Sequence, residues 1–408
     1  MPGSPARPIG TDFRTGLDVA LESGAAPDVL PEPLRRGRFG LLMNQASVDA
    51  GFTLAHEAMH ARFPGRLAAL FSPQHGLFAE QQDNMVESGH GREPQTGAPL
   101  FSLYSETRKP KREWLAGLDA FVVDLQDVGC RVYTFIWTVT HCLEACKEAG
   151  VPVVVLDRPN PLGGLEVEGA WLDPKFASFV GRAPMPMRHD LTMGELVLWA
   201  NAALKIGAQV EVVRLRGWRR ALHWSDLGRP WVPTSPNLPR SEGVAVYPGQ
   251  VLLEGTNLSE GRGTTTPFEV CGAPFIDPYA LRDELEAFRL PGVAFRPIRF
   301  VPTFQKCKGE SCGGLFLHVT DAAAFRPYRT TLALLARIGR LWPDSIAWKA
   351  PPYEYERTKM PIDCITGGDL VRKSIESGAW TKPEHLDAAC DARPEEWRRA
   401  TAPYRLYE

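Results

Sequence analysis

The chain of 408 residues has no excess of charge of either sign. A formal net charge of −2 gives it no bulk electrostatic reason to bind nucleic acid or an anionic membrane. None of its eight cysteines falls in the paired CxxC spacing of a structural zinc site. In so long a chain they read as reduced thiols rather than a disulfide framework, with Cys142 and Cys146 on one face of a helix. There is no GxGxxG and no Walker A loop, so a dinucleotide or phosphate cradle has no support. No apolar run reaches the length of a membrane span. The segment Met1–Gly24 lacks an apolar export core and carries Pro2, Pro5 and Pro8. As written the chain reads as cytoplasmic; an incomplete start is what would make it periplasmic or secreted. Internal repeats and low-complexity tracts are also lacking. What is present is ordinary globular material, 44% hydrophobic and 23% charged, in a chain too long for one core. A neutral carbohydrate or a small molecule fits this balance.

Short apolar runs alternate with amphipathic stretches through the first half. Strands are expected at Arg38–Met43, Leu67–Ser72, Ala120–Leu125, Val151–Leu156 and Val210–Leu215. Helices are expected at Phe52–Phe63, Trp137–Ala149 and Met193–Leu204, the last opened by Thr192 with Glu195 three residues on, a capping-box spacing. This alternation predicts an α/β fold: a mostly parallel, Rossmann-like sheet over residues 1–240. The Pro-rich stretch Trp231–Pro239 reads as a linker or site loop. Residues 241–408 read as a smaller α+β domain, with a helix near Tyr279–Phe288 and strands near Val293–Phe300 and Gly314–Val319. In such sheets ligands bind beyond the carboxyl ends of the strands, which gives weight to polar residues just after each strand.

Two motifs invite other chemistries. His56-Glu-Ala-Met-His60 fits the HExxH of a zinc peptidase, yet Phe63 and Arg66 stand where the extended form has a glycine and a third histidine. A surface face on a crossover helix is the plainer reading. Gly309-Glu-Ser-Cys-Gly313 fits GxSxG, but a strand-like run follows the serine where a nucleophile elbow has a helix.

The acidic loops carry more. After the second strand come His75, Glu80 and Asp83; after the third, Asp124 and Asp127; after the fourth, Asp157, Arg158 and Asn160. Glycoside hydrolysis needs a proton donor and a second group facing the anomeric carbon, and carboxyls converging from several strand ends supply both. The same aspartates could equally cap helices or order loops. Arg131, Arg158 and Arg262 neighbour them, and a planar guanidinium suits a ligand carboxylate or an internal ion pair alike. Trp137, Tyr133 and Tyr247 offer faces to a sugar or to the core.

At these loops the chain resembles a family. Ser72-Pro-Gln-His-Gly76, Asp124-Leu-Gln-Asp-Val-Gly129, Arg131-Val-Tyr-Thr134, Leu156-Asp-Arg-Pro-Asn-Pro161, Ser235-Pro-Asn237 and Leu253-Glu-Gly-Thr-Asn-Leu-Ser-Glu-Gly-Arg-Gly-Thr264 resemble motifs of the NamZ-type exo-β-N-acetylmuramidases. The likeness runs from about Phe39 to the segment Tyr353–Gly367. It implies a Rossmann-like domain, a smaller second domain, an active site in the cleft between them, and release of terminal non-reducing β-1,4-linked N-acetylmuramic acid from peptidoglycan fragments, with no metal and no cofactor. Members commonly carry Pro-Glu-His-Gly where this chain has Gln74. Glu80 is therefore expected as general acid with Asp124 or Asp127 as partner. His75, Arg131, Tyr133, Asp157, Arg158, Asn160, Asn237, Glu254, Asn257, Glu260 and Arg262 are expected to hold substrate, Arg131 first among those for the lactyl carboxylate. A zinc peptidase built on His56, Glu57 and His60, or a muropeptide-binding protein without catalysis, are the alternatives.

Overall fold

The computed structural model describes residues 12–22, 29–82 and 85–408. Its larger sheet contains β1 (Phe39–Met43), β2 (Leu67–Ser72), β3 (Gly91–Arg92), β4 (Pro99–Ser102), β5 (Ala120–Asp124), β6 (Val153–Leu156) and β7 (Val210–Val213). The order is β3-β4-β2-β1-β5-β6-β7, and every pairing is parallel except that of the short edge strand β3. Without β3 this is the doubly wound order, in which the chain works outward from β1 to one edge and then returns to build the other. β1, β5 and β6 are buried at every position, as their unbroken apolar runs require of strands covered on both faces.

The helices that cover the sheet follow the apolar periodicity. Helix Phe135–Ala149 begins two residues earlier than its pattern suggested and ends on Gly150 in the left-handed region at φ 71°. Helix Met193–Ala203 opens with the expected capping box, Thr192 and Glu195 each satisfying the other's backbone N–H. The HExxH helix, Ala55–Arg62, packs on β1 and β2. His56 is buried 3.7 Å from Glu93, whose carboxylate accepts hydrogen bonds from Gln95 and Thr96. Among the described residues no three His, Cys, Asp or Glu side chains gather in a metal-binding group.

The smaller sheet is antiparallel, in the order β8-β10-β9: β8 (Val270–Ala273), β9 (Val293–Phe300) and β10 (Cys312–Val319). Helices Ser241–Gln250 and Pro278–Glu286 pack on it, and helix Pro327–Leu341 packs on both of these helices. Strand β10 follows Ser311, so the GxSxG stretch lacks the strand-then-helix setting of a nucleophile elbow. All eight cysteines are unpaired thiols. No helix among the described residues is long and apolar enough to cross a membrane.

Candidate active site

The loop after β2 and the loop after β5 meet two segments of the second half over one cavity. Gln74, His75, Tyr133 and Ser235 line one side; Glu254, Arg262, Tyr353 and Glu354 line the other. Gln74 directly follows Pro73 at the strand end, and His75 (φ 74°) and Gly76 (φ 86°) take the turn in the left-handed region. The His75 ring Nδ1 lies 2.8 Å from the Gln81 carbonyl, which makes it the protonated nitrogen and leaves Nε2 as an acceptor. Burial pushes this imidazole down to about 4, so it is neutral at pH 7.

Opposite lies the tip of a two-residue hairpin. Tyr353 and Glu356 exchange both backbone hydrogen bonds at 2.9 Å, and the residues between them, Glu354 (φ 45°) and Tyr355 (φ 68°), both occupy the left-handed region. Such turns ordinarily carry Asn or Gly; a glutamate and a tyrosine there cost of order 1–3 kcal/mol each. The turn sets Glu354 against the first half of the chain. Its carboxylate accepts from the Tyr104 hydroxyl at 2.6 Å and from Gln74 Nε2 at 3.1 Å. Gln74 Oε1 in turn accepts from Thr134 Oγ1 at 2.7 Å, so both ends of the amide are used. Burial raises the Glu354 carboxyl above the usual carboxylate range, Tyr104 and Gln74 oppose the shift, and the nearby charge of Glu254 reinforces it. Arg108 stacks on Tyr355, its guanidinium carbon 3.6 Å from the ring centroid.

Glu254 is the second carboxylate of the cavity. It receives the Tyr353 hydroxyl and Arg262 Nη2, each at 2.7 Å. Arg262 also reaches Glu260 at 3.2 Å, and Lys306 reaches the far oxygen of Glu260 at 2.6 Å. The expected residues His75, Tyr133, Glu254 and Arg262 are thus brought together on one cavity, and Glu260 and Asn257 border the recess beside it.

Other expected residues sit elsewhere or are already bonded within the protein. Asp124 is fully buried and held bidentately by Arg158, at 2.5 Å to Nε and 2.8 Å to Nη2, so neither charge is free for a ligand. Asp157 accepts from Gly194 N, Thr192 Oγ1 and the Tyr407 hydroxyl, seating the helix that begins at Met193. Asn160 staples its own loop, donating to the carbonyls of His189 and Leu191. Asp127 accepts from Gly129 N at 2.6 Å and faces His189 at 3.1 Å, both side chains buried. The largest departure is Arg131. Its guanidinium is wholly buried and donates to the carbonyls of Ala170, Met185 and Ile365, so it ties the first half to helix Pro361–Thr366 and meets no carboxylate. Trp137 is core, with Nε1 bonded to the Arg131 carbonyl. Glu80 is exposed, folded back over Gly76 with its carboxylate 3.2 Å from Phe78 N. Asn237 donates to the Gln82 carbonyl and so joins the Pro-rich loop to the loop after β2. Asp83 lies outside the described residues.

Two family models match, exo-beta-N-acetylmuramidase NamZ N-terminal over residues 39–242 and C-terminal over residues 245–407. The chain belongs to the NamZ exo-β-N-acetylmuramidase family. It is 39% identical over 394 residues to the peptidoglycan beta-N-acetylmuramidase NamZ of Bacillus subtilis (strain 168), which covers 97% of this chain and 91% of that relative. Two crystal structures of DUF1343 family proteins from Bacteroides fragilis NCTC 9343 share the fold. The first has a TM-score of 0.84 at 29% identity, and the second 0.74 at 25%. Each match covers 97% of this chain and 99% of the other. Family membership thus stands on both halves of the chain. Gln74, Tyr104, Tyr353 and Glu354 carried no assigned role in the sequence reading; for Glu354 the available signal was an acid set among tyrosines, Tyr353-Glu-Tyr-Glu356, at the end of the recognisable segment.

Proposed function

We propose that this chain is a glycoside hydrolase that releases terminal non-reducing β-1,4-linked N-acetylmuramic acid from peptidoglycan fragments. Membership in the NamZ family supports the reaction, and the Bacillus subtilis relative is named for it. The observation that carries the mechanism is the pair of carboxyls on one cavity, in unlike surroundings. Two carboxyls in unlike surroundings can divide the roles of acid and stabiliser. Glu354, whose burial favours the protonated carboxyl, gives a proton to the leaving glycosidic oxygen. Glu254, fixed by Arg262 and Tyr353, faces the positive charge that develops at the anomeric carbon. This assignment replaces Glu80 and Asp124 or Asp127 as the acid and its partner. The reading takes residues 1–240 and 241–408 as two domains with the site in the cleft between them. No step calls for a metal or cofactor.

The test is turnover of defined fragments. Purified protein given a MurNAc-GlcNAc disaccharide and longer chains ending in MurNAc should release free N-acetylmuramic acid one residue at a time. Tight binding of the fragments without any release, by protein of proven fold, would instead support a muropeptide-binding protein.

A further inference from the structure

The cavity at Glu354 is narrow, about 40 Å³. It shares Glu254 and Arg262 with an adjoining recess of about 260 Å³, whose floor includes Lys306 and whose wall is Trp348 and Lys349. Charge in this recess can be followed pair by pair. Glu254 meets Arg262, Arg262 meets Glu260, and Glu260 meets Lys306, so two carboxylates and two cations alternate and balance. Lys306 also donates to the carbonyls of Leu253 and Thr256, which uses up its ammonium. Lys349 is the cation left over. It forms no ion pair among the described residues, its ammonium 5.6 Å from the Tyr353 ring centroid.

Its position is set by the backbone. Lys349 N donates to the Gly255 carbonyl at 2.9 Å, and Asn257 N donates to the Ala347 carbonyl at 2.9 Å. The Asn257 side chain accepts from Ala347 N at 3.0 Å and donates to the Ser345 carbonyl at 2.8 Å. Asn257 therefore acts as a positioning residue that holds the segment bearing Trp348 and Lys349 beside the two carboxyls. A recess with one aromatic wall and one uncompensated ammonium suits a saccharide with a single negative substituent.

We infer that Lys349 receives the lactyl carboxylate of N-acetylmuramic acid in this recess, and so sets the preference for muramic acid over glucosamine. The inference rests on the hydrolytic reading above and gives Lys349 the role that sequence reasoning offered to Arg131. It makes the carboxylate itself the recognised group, so a lactyl group amidated by a peptide stem or capped as a methyl ester gains nothing from Lys349.

Lys349→Gln and Lys349→Arg, both at an exposed position, should be compared with the parent protein on nitrophenyl β-glycosides of N-acetylmuramic acid, its lactyl methyl ester and N-acetylglucosamine. Loss of one charge-assisted contact predicts that kcat/KM on the muramoside falls by roughly 10- to 100-fold in Lys349→Gln, mainly through KM. The methyl ester and the glucosaminide should change little, and Lys349→Arg should recover most of the loss. Calorimetric titration with free N-acetylmuramic acid reads the same contact without turnover. Lys349-dependent binding in a protein that hydrolyses nothing would keep this site and overturn the hydrolytic reading. Turnover of the muramoside with an unchanged preference in Lys349→Gln would overturn the site and leave the hydrolytic reading standing.

Discussion

The carboxylates at the strand ends of the parallel sheet, Asp124 and Asp157, and those contributed by the second half of the chain, Glu254 and Glu354, all accept donors from the protein, but of the four only Glu254 and Glu354 line the cavity. Asp124 and Asp157 are ringed by donors from their own fold: a bidentate arginine for one, a helix start and the Tyr407 hydroxyl for the other. Glu254 and Glu354 share a cavity, and Glu354 is placed there by a turn that its backbone resists. The strand-end rule for doubly wound sheets is therefore only half served here. Those ends supply part of the candidate site's lining through Gln74, His75 and Tyr133, while the carboxyls come from the second half of the chain.

The comparison is broken most severely at the buried ion pair. Arg158→Ala leaves the Asp124 carboxylate charged and unpaired in the interior, which typically costs about 3–5 kcal/mol of stability. Urea unfolding should show that loss, while the protein still folded at low denaturant should turn over substrate at near the parent rate. A large loss of kcat in fully folded Arg158→Ala would place Asp124 in the chemistry after all.

A second, smaller change is made at the cavity itself. Gln74→Glu brings another carboxyl to the position from which Gln74 Nε2 now donates to Glu354 at 3.1 Å. Two like charges so close raise the pKa of one member of the pair. A general acid works while protonated, so the alkaline limb of the kcat profile should move to higher pH in this variant. An unmoved limb would separate Glu354 from the rate-determining proton transfer. The smallest effect is expected at Glu80, exposed and bonded only to its own loop. Glu80→Gln should stay within about 0.5 kcal/mol of the parent in stability, and its turnover should be little changed. Severe loss of activity there would restore the assignment made from sequence.

Much of the fold was legible because its signals are local. β2 and β9 match their apolar runs to the residue, and the Thr192–Glu195 capping box fixes a helix start. The short strands β3 and β4 were missed because two to four residues hold too little pattern. β8 was missed for the same reason, being four residues long. The candidate site was half legible. Its floor, its Glu254 and its Arg262 stood in recognisable motifs, whereas Arg131 next to such a motif proved to be a strut. Whether a guanidinium meets a carboxylate or three carbonyls depends on residues far along the chain, here Ile365, 234 positions away. Glu354 depends on a left-handed turn that neither Glu nor Tyr announces, and on Tyr104, 250 positions earlier.

The central claim, that the proton donor comes from the Glu354 turn and not from the strand ends, is tested most directly by leaving-group dependence. Glu354→Gln keeps the shape and removes the ionisable proton. On a MurNAc-GlcNAc disaccharide, whose leaving sugar needs protonation, kcat should fall by roughly 10²-fold or more, the usual size of general acid catalysis. On a nitrophenyl muramoside, whose leaving group needs little help, the loss should be much smaller. A folded Glu354→Gln protein that cleaves the disaccharide at near the parent rate, or that slows on both substrates alike, would contradict the assignment.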